Sequence, residues 1–303
     1  MSVRLTRDLN AEGFGSGAIR RMVRDEQLTR IRRGGFASSD QVANHRQLID
    51  TTIPRLGPGN VLSHSSAAWL HGLPGDNRKL ARVTVTKPGK GGNSIGPYVH
   101  RYRTPLPDDD IEVVDGLART VLARTVADIG RCSELGFAVA AAEAALRRGM
   151  SRDDLELQLQ ASRRHGIRRA RTMAELADAR SESAGESLSR VTIWRLGLPT
   201  PELQYEIVVQ GIHYRADFAW PDLRVLGEFD GKVKYGRLLR PGQTLGFKVN
   251  GGFSSNKGRG AGVAAYGQFG ALDALVNANW TKEENYKSGG SAKREVQNSA
   301  LGQ

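Results

Sequence analysis

The stretch Ser16-Gly17-Ala18-Ile19-Arg20-Arg21-Met22-Val23-Arg24-Asp25-Glu26-Gln27-Leu28-Thr29-Arg30-Ile31-Arg32-Arg33-Gly34-Gly35-Phe36 sets the character of the N-terminal end. Ser16 belongs to the residue types that cap helices. Ile19, Met22 and Val23 follow at i, i+3 and i+4 spacing, so a helix ending near Gln27 has one apolar face. Arg20, Arg21 and Arg24 fill the rest of its circumference. Leu28-Thr29-Arg30-Ile31 alternates as a short strand does, Arg32-Arg33-Gly34-Gly35 is a tight basic turn, and Phe36 returns toward the core. Helix, turn, basic helix, strand, glycine turn and strand make the outline of a winged helix-turn-helix over residues 1–40. In such a unit a basic helix fits the major groove, while arginines at a turn reach phosphates or the minor groove. Arg20, Arg21, Arg24, Arg30, Arg32 and Arg33 are the candidate DNA-contacting residues; for the turn arginines the plain alternative is a solvated face.

The whole chain supports that direction. Its 303 residues suffice for two ordinary domains, and a formal net charge of +12 favours a polyanionic partner, either nucleic acid or an anionic membrane. The sequence has no long apolar run, and Met1-Ser2-Val3-Arg4-Leu5 is not followed by a signal-peptide stretch, so a membrane is not expected. Cys132 is the single cysteine, which excludes an intrachain disulfide and a thiolate metal cluster. A cytoplasmic location follows from that usage.

From Asp40 to Arg180 the pattern is mixed. Helices are expected over 40–52 and 65–71, strands over 82–86 and 98–103, and three further helices over 117–129, 135–148 and 152–161, the last two capped by Ser133 and Ser151. Around Ser183 the order becomes helix (to Leu196), strand (203–209), a Gln210-Gly211 turn, strand (212–219) and a buried-looking strand (223–229). Beyond Gly251 the chain is rich in Gly, Ser, Asn and Lys with isolated aromatics, and disorder is expected there, with only 271–278 able to form a helical turn or two. The expected class is α/β, divided into residues 1–40, 41–180, 181–245 and 246–303.

Chemistry concentrates in the third division. Glu186 lies on a helix, Asp217 on a hairpin strand, and Glu228 and Asp230 leave one face of the next strand two residues apart, with Lys232 and Lys234 close behind. Clustered carboxylates suit a hard divalent ion such as Mg²⁺, which activates water and stabilises charge on a phosphodiester. A structural reading stands beside this one. Ser183-x-x-Glu186 is also a capping box, Asp217 can pair with Arg215 or Arg195, and Asp230-Gly231 is an ordinary turn.

The runs Glu186-Ser187-Leu188-Ser189-Arg190, Arg215-Ala216-Asp217-Phe218 and Gly227-Glu228-Phe229-Asp230-Gly231 resemble the PD-(D/E)XK nuclease superfamily, in particular its branch related to very-short-patch repair endonucleases. The resemblance covers about 183–244. It implies that Asp217 and Glu228 bind metal, with Glu186 accessory. The sequence departs from the pattern at Asp230, where Lys is common, so the lysine role passes to Lys232 or Lys234. It departs again where the family continues into a charged helix and a final strand, leaving a nuclease-like domain without them.

In the N-terminal half, Ala18-Ile19-Arg20-Arg21, Leu28 to Phe36, and Ser63-His64-x-Ser66-Ala67-Ala68-x-x-x-Gly72-Leu73 resemble AbiEi-type antitoxins of type IV toxin–antitoxin systems. That resemblance covers about 1–130 and implies promoter binding by the winged domain and a nucleotidyltransferase toxin as partner. Gly13-Phe14-Gly15-Ser16-Gly17 lacks the spacing of a dinucleotide fingerprint. His64 and His71 read as helix-end hydrogen bonders, and Ser63 and Ser65 as caps. Two functions are expected to compete: a DNA-binding protein with a metal-dependent endonuclease-like domain, and a non-enzymatic antitoxin-like regulator.

Overall fold

The computed structural model of the chain describes residues 3–38, 44–160, 165–209, 212–229, 245–253, 259–269 and 272–282. They belong to two compact units, Met1–Ala177 and Asp178–Gln303. Helices and antiparallel or mixed sheets occur in both, so the class is α/β.

The first unit opens with β1 (Arg4–Leu5), α1 (Thr6–Ala11), α2 (Ser16–Arg24), β2 (Leu28–Arg32) and β3 (Gly35–Ser38), the strands forming a small antiparallel sheet in the order β1-β3-β2. Leu9, Ile19, Leu28 and Phe36 close its core, with Phe14, Met22 and Val23 packed against them. Each such burial contributes about 1.5–3 kcal/mol. The apolar spacing along α2 therefore does the work assigned to it. Its N-cap is Gly15 rather than Ser16, no side chain caps it, and it stops at Arg24, short of Gln27.

There follow α3 (His45–Thr52), β4 (Val61–Leu62), α4 (His64–Leu70), β5 (Val83–Lys87), β6 (Ser94–Ile95), β7 (Val99–Arg103), β8 (Ile111–Val114), β9 (Leu117–Thr120), α5 (Leu122–Cys132), α6 (Leu135–Arg147), α7 (Arg152–Gln160) and α8 (Ile167–Leu176). The strands form a six-stranded mixed sheet, β6-β7-β5-β4-β9-β8. Residues 117–129 are not one helix. Asp115 and Gly116, both at positive φ, turn β8 back into β9, and the helix begins only at Leu122. Glu134, not Ser133, caps α6 by accepting from the Gly136 amide, whereas Ser151 accepts from Asp154 as expected.

No boundary near residue 40 separates the first forty residues from this sheet. Ile31 packs on the cluster of Leu48, Ile49, Leu62, Val83 and Val85, and Arg32 donates to the Thr51 carbonyl at 3.2 Å. The glycine turn is held too: a Cβ on Gly35 would lie 2.7 Å from that of Thr51. The hairpin has two faces, one for its own helices and one for α3, which is why the two divisions fuse.

The second unit carries α9 (Ala184–Arg195) and a sheet of β10 (Glu202–Val209), β11 (Ile212–Trp220) and β12 (Val225–Gly227), antiparallel throughout. Where disorder was expected, residues 245–253, 259–269 and 272–282 are strands of a second antiparallel sheet, β13 (Leu245–Phe253), β14 (Arg259–Phe269) and β15 (Leu272–Lys282). The helical turn expected at 271–278 falls in β15. Two eleven-residue strands in continuous register satisfy their backbone groups mutually, and that pairing does not need the periodic apolar residues whose scarcity suggested disorder. Residues 283–303, the Gln210-Gly211 turn and Asp230, Lys232 and Lys234 lie outside the described residues. Among the described residues no helix is long and apolar enough to cross a membrane.

Candidate functional site

The β10–β11 register pairs Leu203 with Phe218 and Tyr205 with Ala216, so Gln204 stands directly opposite Asp217. The β11–β12 register ends at Phe218 and Gly227, and Glu228 follows just beyond the last pair. Directly opposed residues of antiparallel strands share a face. Gln204 and Asp217 therefore make a row across the sheet, and Gln204 also hydrogen-bonds the Asp217 side chain. The Phe229 amide donates to Asp217 Oδ2 at 2.8 Å, fixing the chain just after Glu228.

The first turn of α9 meets this row. Ser183 caps the helix, accepting from the Glu186 amide at 3.2 Å. Glu186 Oε2 accepts from the Glu182 amide at 2.8 Å and from Gln204 Nε2 at 3.1 Å. Glu186 is thus both a helix-start residue, as the structural reading held, and a neighbour of the row. Gly185 makes the approach possible: a Cβ there would fall 1.9 Å from the Phe229 ring. Gln204 holds a left-handed backbone, φ +54°, a conformation that costs a non-glycine residue about 1 kcal/mol or more.

Glu186 and Asp217 are therefore brought together through Gln204, while Glu228 is exposed and directly precedes Phe229, whose amide Asp217 holds. Arg215 turns to Glu182 at 2.9 Å and is not an ion-pair partner of Asp217. Among the described residues no group of three His, Cys, Asp or Glu side chains is arranged to hold a metal ion. Gln204 was not singled out in the sequence. An isolated glutamine in a strand carries no signal of its own; only the register reveals it.

Burial pushes the Asp217 carboxyl up, and the nearby Glu186 carboxylate adds to this against the Phe229 amide, Gln204 and Arg215. A raised carboxyl favours its protonated form in the folded state, so its contribution to stability is present at low pH and lost as pH rises through the raised pKa. Asp217→Asn keeps an acceptor for Phe229 and removes the charge. At neutral pH it should stabilise the protein by about 0.5 kcal/mol, a small figure because Asp217 is only partly buried and solvent screens it. The gain should vanish below the ordinary carboxylate range, as read by urea unfolding at both pH values.

No protein-family model matches the chain. Two sequences from Mycobacterium tuberculosis strains, named uncharacterized protein MT2308 and uncharacterized protein Rv2248, are each 34% identical to it over 179 residues, or 58% of this chain. The chain spans 64% of the length of these curated relatives.

The six candidate DNA-contacting arginines divide. Arg20, Arg21, Arg24, Arg30 and Arg33 are exposed, Arg24 beside Asp25 at 2.8 Å and Arg30 over the Phe36 ring at 5.8 Å. Arg32 is committed inward. Besides its bond to Thr51 it lies over the Tyr98 ring at 5.0 Å, and burial together with the neighbouring Arg55 lowers its pKa.

The Ser63-His64-x-Ser66 run is buried. Ser63 Oγ meets His64 Nδ1 at 2.9 Å and accepts from Thr86 at 2.9 Å. Ser66 Oγ accepts from the Thr84 amide at 2.8 Å and meets His45 Nε2 at 2.9 Å. These bonds tie α4 to β5 and α3, with the Ser63 and Ser66 hydroxyls both buried and engaged. His71 donates to the Thr120 carbonyl at 2.9 Å, which makes it a helix-end hydrogen bonder.

Proposed function

We propose that this is a DNA-binding protein whose second unit is a metal-dependent, endonuclease-like domain. The observation that carries the reading is the convergence of Glu186 and Asp217 on Gln204, presented by helix, strand, strand, strand in that order with Glu228 just past the last strand. The order of elements supports the PD-(D/E)XK reading.

The carboxylates proposed as donors are of the type that Mg²⁺ or Mn²⁺ takes, although the described side chains do not themselves converge as a metal-binding group. Their oxygens are hard, and the proximity of Glu186 that raises Asp217 is a repulsion that a divalent cation relieves. Asp217 and Glu228 would hold the ion, with Glu186 accessory. When bound, the ion supplies an activated water and stabilises charge on the phosphodiester. Asp230, Lys232 and Lys234 keep the roles the sequence suggested for them, as further donor and cations.

DNA binding is assigned to the basic N-terminal hairpin and helix, in the manner of a winged helix. Five exposed arginines on α2 and the β2–β3 hairpin give a phosphate-binding face within a chain of net charge +12. If about five phosphates are contacted, log affinity should fall with log salt at a slope of about −4 to −5. Fluorescence anisotropy on a labelled duplex should show the slope flattened when Arg20, Arg21, Arg30 and Arg33 are replaced by Ala. An unchanged slope would remove this face from the reading.

The second reading, an antitoxin-like regulator with a toxin as partner and no catalysis, is favoured by one feature. Glu186 Oε2 already accepts two hydrogen bonds, which makes it look like a structural carboxylate.

A further inference from the structure

The exposed arginines do not account for all the positive charge beside the hairpin. A cavity of about 310 Å³ is lined by Leu5, Arg7 and Arg55. Arg55 follows α3 in sequence, yet its guanidinium lies against the β2–β3 turn: a Cβ on Gly34 would be 2.8 Å from Arg55 Nη1. The same guanidinium is near enough to Arg32 to depress its pKa, after burial, the larger cause. Arg32 Nε is buried and has no hydrogen-bond partner. Arg55 forms no ion pair among the described residues, and the acid paired with Arg7 is its own chain neighbour, Asp8, at 3.3 Å.

Arg32 and Arg55 are guanidinium groups close enough to repel and neither is ion-paired among the described residues, so an anion brought to Arg55 from outside relieves the repulsion. The planar donors of arginine match phosphate oxygens two at a time. Arg55 bounds the cavity and lies against Gly34, the turn residue that follows Arg33, so an anion held there would sit beside the basic hairpin.

We infer that the Arg7–Arg55 cavity is a phosphate clamp that holds one backbone phosphate of bound nucleic acid. The clamp extends the DNA-binding surface beyond α2 and the hairpin onto the segment after α3. It rests on the DNA-binding reading, and the packing of Gly34 against Arg55 and of Gly35 against Thr51 holds the turn beside the cavity.

The test uses the full chain, its Arg55→Ala and Arg7→Ala variants, and Arg55→Lys as a charge-conserving control. Duplex binding is followed by anisotropy across salt, and inorganic phosphate is added separately while thermal unfolding is recorded. Each Ala variant should make the salt slope shallower by about 0.9, the value for one lost phosphate, with Arg55→Lys close to wild type. Phosphate should raise the melting temperature of the wild type and not of Arg55→Ala. Tight, salt-dependent binding with the same slope in wild type and both Ala variants would overturn the clamp while leaving DNA binding intact. A wild type that binds no duplex but is stabilised by phosphate through Arg55 would overturn the backbone assignment and the DNA reading together, leaving a small-phosphate site. Variants that melt as the wild type does without phosphate exclude misfolding as the cause of any loss.

Discussion

Asp128→Ala should destabilise the first unit by about 3 kcal/mol, the low end of the range for breaking a buried ion pair. Asp128 is fully buried on α5, and it accepts from Arg124 Nε at 3.2 Å and from Arg131 Nη2. Arg124 also donates to Asp110 Oδ2 at 2.6 Å, and Gln158 completes Asp110 at 2.5 Å. Removing Asp128 leaves Arg131, itself buried, without an acid, while Arg124 keeps Asp110; the partial compensation sets the expectation at the low end. For a unit of this size the loss corresponds to a melting temperature lower by about 6–12 °C. The double variant Asp128→Leu with Arg131→Met should lose much less than the single, since it removes both charges and fills the space. A single variant within about 1 °C of wild type would mean that the network is solvated and carries little of the fold.

The second large effect is on pH. Burial pushes the His64 imidazole down to about 4; nearby Asp128 opposes this, and Arg131, Arg124 and His100 add to it. The ring stacks on Tyr102 at 3.6 Å between centroids, and Tyr102 stacks in turn on His100. The folded state therefore favours neutral His64. Its contribution to stability is present above the unfolded value near 6.5 and is lost as pH falls from there to about 4, because the unfolded chain binds the proton first. The loss amounts to about 3 kcal/mol over that window. His64→Gln keeps a partner for Ser63 and cannot titrate, so its stability curve between pH 7 and 4.5 should be flatter than that of the wild type. Parallel curves would show that His64 is not the group that titrates.

The fold was legible where periodicity and punctuation agreed. Ile19, Met22 and Val23 announced α2, and Gly34-Gly35 the hairpin. Leu117-Ala118-Arg119-Thr120 misled because its residues are at home in helices; yet Asp115-Gly116, a strong two-residue hairpin signal, stood just before it. β4 has two residues and α1 six, too few for any period to register. The fusion of the first forty residues with the six-stranded sheet depends on which face of Ile31 and Arg32 is covered, and that is a tertiary fact. At the carboxylate site, Glu186 and Asp217 were readable from their spacing. Gln204 was not, because it gains its role from cross-strand register and an unusual backbone angle.

The central claim is most directly tested by nicking of supercoiled plasmid DNA with purified full-length protein in Mg²⁺ or Mn²⁺, with and without EDTA. One carboxylate cannot both hold an ion and orient its water, so Asp217→Asn and Glu228→Gln should each reduce cleavage by about a hundredfold or more while duplex binding is unchanged. Gln204→Ala should give a smaller loss, since it acts by holding Glu186 and Asp217 in place. The result predicted is metal-dependent nicking that EDTA and either carboxylate variant abolish. Absence of nicking by the intact chain, or nicking that survives in both carboxylate variants, would contradict the account; the first outcome would leave a DNA-binding regulator with a nuclease-like sheet.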